Sequence, residues 1–383
     1  MQTLVSRRGD VDPFIVMSIL KMAEDLEAEG RSIIHMEIGQ PATPAPASAR
    51  ARVRDMLDSD ALGYTVSLGL PELRERIAGL YRDWYGIDLD PGRVVVTPGS
   101  SGGFILAFTA LFDLGAKVGI ANPGYPAYRQ ILKSQGLEPV LIDTELQDGY
   151  QPRADQIAGA GLDGVLVASP SNPAGTMLDR PRMESLMAAA RDSGTAFISD
   201  EIYHGLHYGA RGVSALEIGD EAFVINSFSK YFSMTGWRIG WMVVPPDRVA
   251  AVEKLVQHMF ICAPHVSQIA AIGALGATEE LAANHATYAG NRRTMIAGLE
   301  AAGITRYAPP DGGFYIYADI SHLGADSLDL AEALMREEGV AVTPGYDFDA
   351  TRGGRSWRLS YAGAPDDIAE GMRRIARFCA ARG

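Results

Sequence analysis

The stretch Phe223–Trp241, FVINSFSKYFSMTGWRIGW, decides how the rest of the chain is read. It opens on Phe223-Val224-Ile225, an apolar run short enough to be a buried strand. It then passes abruptly into Ser227, Ser229, Lys230, Ser233 and Thr235. Gly236-Trp237-Arg238 and a second apolar run, Trp241 to Val244, follow. A lysine just past a buried strand, flanked by hydroxyls and followed by an arginine, suits chemistry at the amine. Where a site lowers its pKa, such an amine condenses with an aldehyde. If the aldehyde's carrier also bears a phosphate, Arg238 offers charge and Ser227 a hydrogen bond. An ordinary surface loop with a solvated lysine has the same composition, so the remainder of the chain has to decide.

Composition narrows the field. At 383 residues the chain exceeds the size at which one core usually stops growing, so two domains are expected. Hydrophobic content of 47% and charged content of 21% are those of a soluble globular protein. A net charge of −13 argues against nucleic acid or an anionic membrane as the main partner. An anionic cofactor would need local cations. Two cysteines, Cys262 and Cys379, are too few for a disulfide framework and suit a reducing compartment. Arg7-Arg8 is followed by Gly9-Asp10-Val11-Asp12 where a signal peptide needs an apolar region, and no apolar run reaches transmembrane length. The expected location is cytoplasmic.

Along the chain, an amphipathic helix is predicted from Phe14 to about Glu29, stopped by Gly30. A short strand, Ile33 to Ile38, ends at Gly39-Gln40-Pro41, and a Pro/Ala-rich segment to Ala47 reads as a crossover. Pro71 opens a helix with Leu73, Ile77 and Leu80 on one face. The strand Arg93–Thr97 leads into Pro98-Gly99-Ser100-Ser101-Gly102-Gly103, read as a turn before a helix from Phe104 to about Phe112. Free N–H groups at such a helix start seat an anion, although neither a Walker nor a Rossmann spacing is present. Further strands are predicted at 118–121, 140–142, 164–168 and 196–198, with Asn122–Tyr128 read as an exposed turn in which Tyr125 can stack on a planar group. This alternation predicts an α/β fold, with a mostly parallel sheet flanked by helices. Ligands of such sheets bind beyond the carboxyl ends of the strands. Asn172, Asp200, Ser227 and Lys230 all follow predicted strands. After Val244 the pattern turns helical and then α+β, giving a smaller domain built from both termini. The expected division is 1–41 (arm and part of the small domain), 42–284 (large domain) and 285–383 (small domain).

Ser227-Phe228-Ser229-Lys230, with Thr235-Gly236-Trp237-Arg238-Ile239-Gly240-Trp241, resembles the lysine segment of the class I/II aminotransferases, the fold-type I pyridoxal 5'-phosphate enzymes related to aspartate aminotransferase. Other segments agree in order, from Gly39-Gln40-Pro41 through Tyr64…Gly69-x-x-x-Leu73-Arg74 and Asp200-x-x-Tyr203 to Trp357-Arg358-Leu359-Ser360. The resemblance implies catalytic Lys230, which carries the cofactor as an imine and moves the α-proton, with Asp200 on the pyridine nitrogen (charge alone would allow Glu201 instead). Tyr203 and Asn172 would bond the ring hydroxyl oxygen, and Tyr125 would stack. The phosphate would take Arg238, Ser227, Ser100, Ser101 and a homodimer partner's Tyr64. Substrate would lie against Gly39, with Arg358 on its α-carboxylate (Arg355 being the nearby competitor) and Ile15 in the side-chain pocket.

The implied reaction is a ping-pong transfer of an amino group between an amino acid and a 2-oxo acid. A lyase of the same fold, such as a C–S β-lyase, would use the same lysine. A non-catalytic ligand-sensing homologue is the remaining alternative; it would need a DNA-binding module, for which no room is expected. The segments expected to line the side-chain pocket, Phe14–Met17 and Met259–Pro264, carry no lysine or arginine. At least one neutral, apolar or aromatic substrate is therefore expected, with glutamate left open as the second partner and Arg129, His258 and His265 as reservations. His204 and His207 have a metal-like spacing but no further ligands, so no metal is expected.

Overall fold

The computed structural model describes residues 6–382, so the outermost ends of the expected terminal ranges, 1–5 and 383, lie outside the described residues. Its centre is a seven-stranded sheet in the order Val94–Thr97, Gly240–Val243, Phe223–Ser227, Ala196–Asp200, Gly164–Ala168, Lys117–Asn122, Glu138–Asp143. Gly240–Val243 runs antiparallel to both neighbours, and the other six strands share one direction. The sheet is covered on both faces, which is why its strands are apolar runs without a polar side. Val94, Val96, Val165, Val167, Val224 and Trp241 enter one core, while Val95, Leu166, Ile198, Ile225 and Met242 enter another. This is the two-residue alternation of a strand sampling both faces.

A four-stranded antiparallel sheet, Thr343–Pro344, Ser356–Ser360, Tyr315–Asp319, Arg306–Tyr307, carries a further core. Ile34 and Met36 from near the N-terminus join that core beside Trp357, Ile375 and Phe378. The strand Ile34–His35 pairs in parallel with Val340–Ala341, under the helix Ile15–Ala28. Both chain ends thus contribute to the second core. No turn marks the expected 284/285 boundary, because the helix Thr278–Ala301 runs through it. We propose that this continuous helix links the two domains.

Three local expectations need correction. The glycine-rich segment after Thr97 is not a turn before a helix; the helix begins at Gly99 and runs to Leu111. Low propensity at Gly99, Gly102 and Gly103 is outweighed by packing space, since a Cβ on Gly102 would stand 2.8 Å from the Pro98 ring. Asn122–Tyr128 is not exposed: Asn122 and Tyr128 are buried, Pro126 opens the helix Pro126–Ser134, and the Gly124 amide donates to Phe348 O at 3.1 Å. The Pro/Ala segment leads into an unforeseen helix, Ala47–Leu57, which packs through Ala49 so closely that a Cβ on Gly273 would lie 2.8 Å from the Ala49 Cα.

Candidate active site

A cavity of about 470 Å³ opens at the carboxyl edge of the sheet, between the two cores. The strand Phe223–Ser227 delivers Lys230 to its floor, where Nζ donates to the Gly39 carbonyl at 2.6 Å. The rings of Tyr203 and Phe314 lie beside it, centroids 5.9 and 5.8 Å from Nζ. Burial, then the positive charges of Arg358 and Arg238, push the amine down to about 8 against the pull of Asp200. Gly39 is demanded by this geometry, because a Cβ there would sit 1.7 Å from the Tyr315 hydroxyl oxygen.

Asp200 ends its strand and is 2% exposed. The buried Tyr128 hydroxyl donates to Oδ2, and the Ile202 amide donates to Oδ1 at 3.0 Å. Burial raises its carboxyl to about 6, and the two donors oppose that rise. A carboxyl so placed ionises readily once a cation is set against it. Tyr203 donates to the Tyr315 hydroxyl at 3.1 Å, and Asn172 Oδ1 accepts from Arg358 Nη1 at 3.2 Å.

At the opposite wall the helix Gly99–Leu111 begins without a side-chain cap, so the first-turn amides around Ser100 and Ser101 have no capping partner. Gly99 (φ +71°) lets the Arg238 guanidinium close on that end, since a Cβ there would lie 2.5 Å from Nη2. Uncapped amides and a cation together make an anion seat. Ser227 is not part of it. Its hydroxyl is buried behind the cavity, 2.8 Å from Ser229 Oγ and 3.2 Å from the Ile239 carbonyl, while Ser229 and Thr235 reach the wall.

Arg358 is buried at 6% exposure between the rings of Tyr315 and Phe348, 4.5 and 4.9 Å from their centroids. Its Nη2 donates to the Glu37 carbonyl and, at 3.2 Å, to Thr343 Oγ1; Nε has no partner among the described residues. No described carboxylate pairs with it. Arg355 by contrast is exposed beside Glu145.

Other expected residues sit elsewhere. Ile15 does not line the cavity; its amide donates to Asp347 Oδ1 at 2.8 Å, and the wall takes Phe14, Val16, Met17 and Leu20. Met259–Pro264, Arg129, His258 and His265 do not line this chain's cavity; Met259 and Ile261 are 43% and 49% exposed, while Ala263 is buried in the core. Tyr64 is 84% exposed and absent from its own chain's cavity. His204 is buried against the Ser169 carbonyl at 2.8 Å, and it lines a separate cavity with His207. Among the described residues no cluster of three or more histidines, cysteines or carboxylates could hold a metal.

Residues 31–375 match the family model described as aminotransferase class I and II. The chain belongs to that family. This aminotransferase is 45% identical to a valine–pyruvate aminotransferase of Mycobacterium tuberculosis (strain ATCC 25618 / H37Rv), over 98% of each chain. It resembles a solved structure from Silicibacter pomeroyi, 55% identical with a TM-score of 0.94, covering 99% of this chain and 100% of the other. A solved aminotransferase from Mycobacterium tuberculosis, 43% identical, gives a TM-score of 0.97 over 99% and 100%. Sequence reasoning about the aminotransferase missed Tyr128, Ser229, Thr235, Phe348, Glu37 and Asp347 in the wall. Of these Tyr128 carried a signal: it lies one helical turn from Tyr125, and a buried tyrosine needs a hydroxyl partner.

Proposed function

We propose that the chain binds pyridoxal 5'-phosphate and moves an amino group between a neutral amino acid and a 2-oxo acid. One observation carries this reading: a partly buried lysine amine, lowered to about 8, stands between an anion seat and an unpaired buried arginine. The residues fit the cofactor. The uncapped helix start with Arg238, Ser229 and Thr235 would hold the phosphate, Asp200 the ring nitrogen, and Asn172 with Tyr203 the ring hydroxyl oxygen. Tyr125 would cover the ring, and Lys230 would hold the group covalently. Bound there, it supplies an electron sink for charge developing at the substrate α-carbon. Released when the substrate's own amine replaces it on the group, Lys230 would take the proton from that carbon and return one to the acceptor side, as an amine near neutrality can. Arg358 fixes the α-carboxylate with its fork, and the apolar residues of Ile15–Ala28 receive the side chain. The relative named for valine and pyruvate supports a neutral substrate.

The test is exchange between valine and pyruvate by purified protein, followed by borohydride reduction and peptide mapping. Alanine and 3-methyl-2-oxobutanoate should accumulate one for one, and the label should fall on Lys230. No exchange with valine, beside ammonia and pyruvate released from an S-substituted cysteine, would indicate a lyase, and label on another lysine would remove the central assignment.

We further propose a cytoplasmic homodimer with shared sites. Tyr64 and Val66, 84% and 57% exposed, lie on a segment tied to the one that follows the outward Met259 and Ile261, by His265 to the Gly63 carbonyl at 3.0 Å and by Gln268 to Thr65 at 3.0 Å. An apolar surface of this kind marks an interface. Mixing Tyr64→Phe chains with Lys230→Ala chains should regenerate one intact site per mixed pair, because each site takes its lysine and tyrosine from different chains. Activity equal to the weighted mean of the two parents rules out the crossing.

A further inference from the structure

The start of the helix Ile15–Ala28 walls the cavity with Phe14, Val16 and Met17, yet its own sequence offers little to hold it there. The first buried residue is Ile19, which with Ala23 and Leu26 anchors the later turns in a core shared with Ile33, Met335 and Ala341. Before Ile19, every side chain from Phe14 to Ser18 is half-buried or exposed. The cap position falls on Phe14, which has no side-chain acceptor, and the first turn carries no acid. A helix start in this state frays, because its leading amides lack partners and no buried side chain restrains it. The tie upstream, from Asp12 to Gln130 and Lys133, lies at the surface.

The cap comes instead from Asp347, 332 residues away from Ile15. Oδ1 accepts from the Ile15 amide at 2.8 Å and Oδ2 from the Val16 amide at 2.9 Å. Asp347 is 4% exposed and closes the tight turn Gly345–Asp347. That turn has no room to drift: a Cβ on Gly345 would stand 2.4 Å from the Gly353 carbonyl oxygen, and Asp349 accepts from Arg352 Nε at 2.6 Å. The next residue, Phe348, is the ring beside the Arg358 guanidinium, and its carbonyl accepts from the Gly124 amide. Adjacent residues thus serve the two ends of the site. Phe348 flanks the arginine, and Asp347 holds the apolar wall.

We propose that Asp347 is a positioning residue for substrate selection, holding the start of the helix Ile15–Ala28 against the cavity so that a branched apolar side chain is preferred to a methyl group. This deepens the function proposed above and rests on its assignment of that wall to the substrate side chain. The grip needs two acceptor oxygens. Asparagine keeps one and points its own donor at the other amide, while alanine keeps neither. Once the first turn loosens, Phe14, Val16 and Met17 no longer stand in place, and the two carbons by which valine exceeds alanine lose their contact. Firmly held, such a wall makes those carbons worth roughly 15-fold.

The experiment compares the unmodified protein with Asp347→Asn and Asp347→Ala. Each is loaded with cofactor and mixed with valine or alanine, and the absorbance of the bound cofactor gives a second-order rate constant for each amino acid. Hydrogen exchange over residues 13–18 is followed in the cofactor-free proteins. The unmodified protein should favour valine by roughly 15-fold. Asp347→Ala should cut that preference about fivefold or more, mainly through weaker apparent binding of valine, and should quicken exchange over 13–18 by roughly 2- to 30-fold. The turns anchored by Ile19 and Ala23 should stay protected. The nearly isosteric Asp347→Asn should show the same changes at smaller size, and it carries the test if Asp347→Ala does not fold. Exchange unchanged in both variants overturns the cap. Exchange quickened with the valine-to-alanine ratio unchanged overturns the selective role, as does an equal loss for the two amino acids, which would put the damage at Phe348 and Arg358. An unmodified protein that converts both amino acids without preferring valine overturns the wall's assignment to the side chain, and the inference falls with it. One that converts neither overturns the function proposed above, and the selective role falls too.

Discussion

Replacing Lys230 with alanine is expected to lower kcat for valine–pyruvate exchange by about four orders of magnitude, the upper range for losing a positioned acid–base group. The loss should exceed that figure if covalent tethering of the cofactor is lost as well. The structural reason is that nothing else can replace the amine. Tyr203 and Phe314 flank Nζ, and the other wall cations are arginines, which do not give up a proton. The fold should survive, because the side chain makes one hydrogen bond, to the Gly39 carbonyl, and stands among like charges. A melting temperature within a few degrees of the parent, beside the lost rate, separates chemistry from misfolding. The lowered pKa adds a directional test. Only the neutral amine attacks an aldehyde, and the folded value lies near 8 rather than 10.5. Cofactor uptake by cofactor-free protein should therefore accelerate as pH rises through about 8 and level off above it. Retention of a tenth of the parent kcat in Lys230→Ala would falsify the assignment.

Much of this site was legible because parallel sheets restrict where chemistry can stand. Runs such as Val94-Val95-Val96 and Val165-Leu166-Val167 can be read as strands covered on both sides, and the carboxyl ends of such strands share one edge. That places Asp200, Asn172 and Lys230 together before any coordinate is known. The order of segments then supplied what periodicity could not, the anion seat and the arginine in Ser356–Ser360. What stayed hidden depended on side-chain direction just past a strand, or on contacts between distant segments. Ser227 and Ser229 are equivalent in type, but the last strand residue turns its hydroxyl back to Ile239 and the second one out does not. The helix Ala47–Leu57 has no apolar stripe to detect, since it docks through alanine against glycine. Glu37 looked like an ordinary strand residue. Its full burial, with one oxygen on His35, depends on packing that periodicity does not carry. Met259–Pro264 lies outside its own chain's cavity, with Met259 and Ile261 exposed.

Replacing Arg358 with lysine is expected to cost between about thirtyfold and a few thousandfold in kcat/KM, the equivalent of roughly 2–5 kcal/mol for one member of a buried charge pair. The charge is kept, so the whole effect comes from geometry. The guanidinium lies flat between Tyr315 and Phe348, which fixes its plane, and its Nη groups are held by Asn172, the Glu37 carbonyl and Thr343. A planar fork locked in this way meets a carboxylate with two parallel hydrogen bonds. A lysine ammonium has neither the plane to be clamped nor the second arm, and its shorter reach leaves Asn172 and Thr343 without their donor. The interaction is made by bound substrate and persists while the α-proton moves, so most of the loss should appear in KM and less in kcat. A substrate stripped of its carboxylate provides the control. Slow amino transfer from 2-methylpropylamine should be nearly the same in the parent and in Arg358→Lys, because neither can use the fork. If valine kcat/KM falls less than threefold, or the amine suffers as much as valine, Arg358 is holding the cavity wall together rather than the substrate's carboxylate.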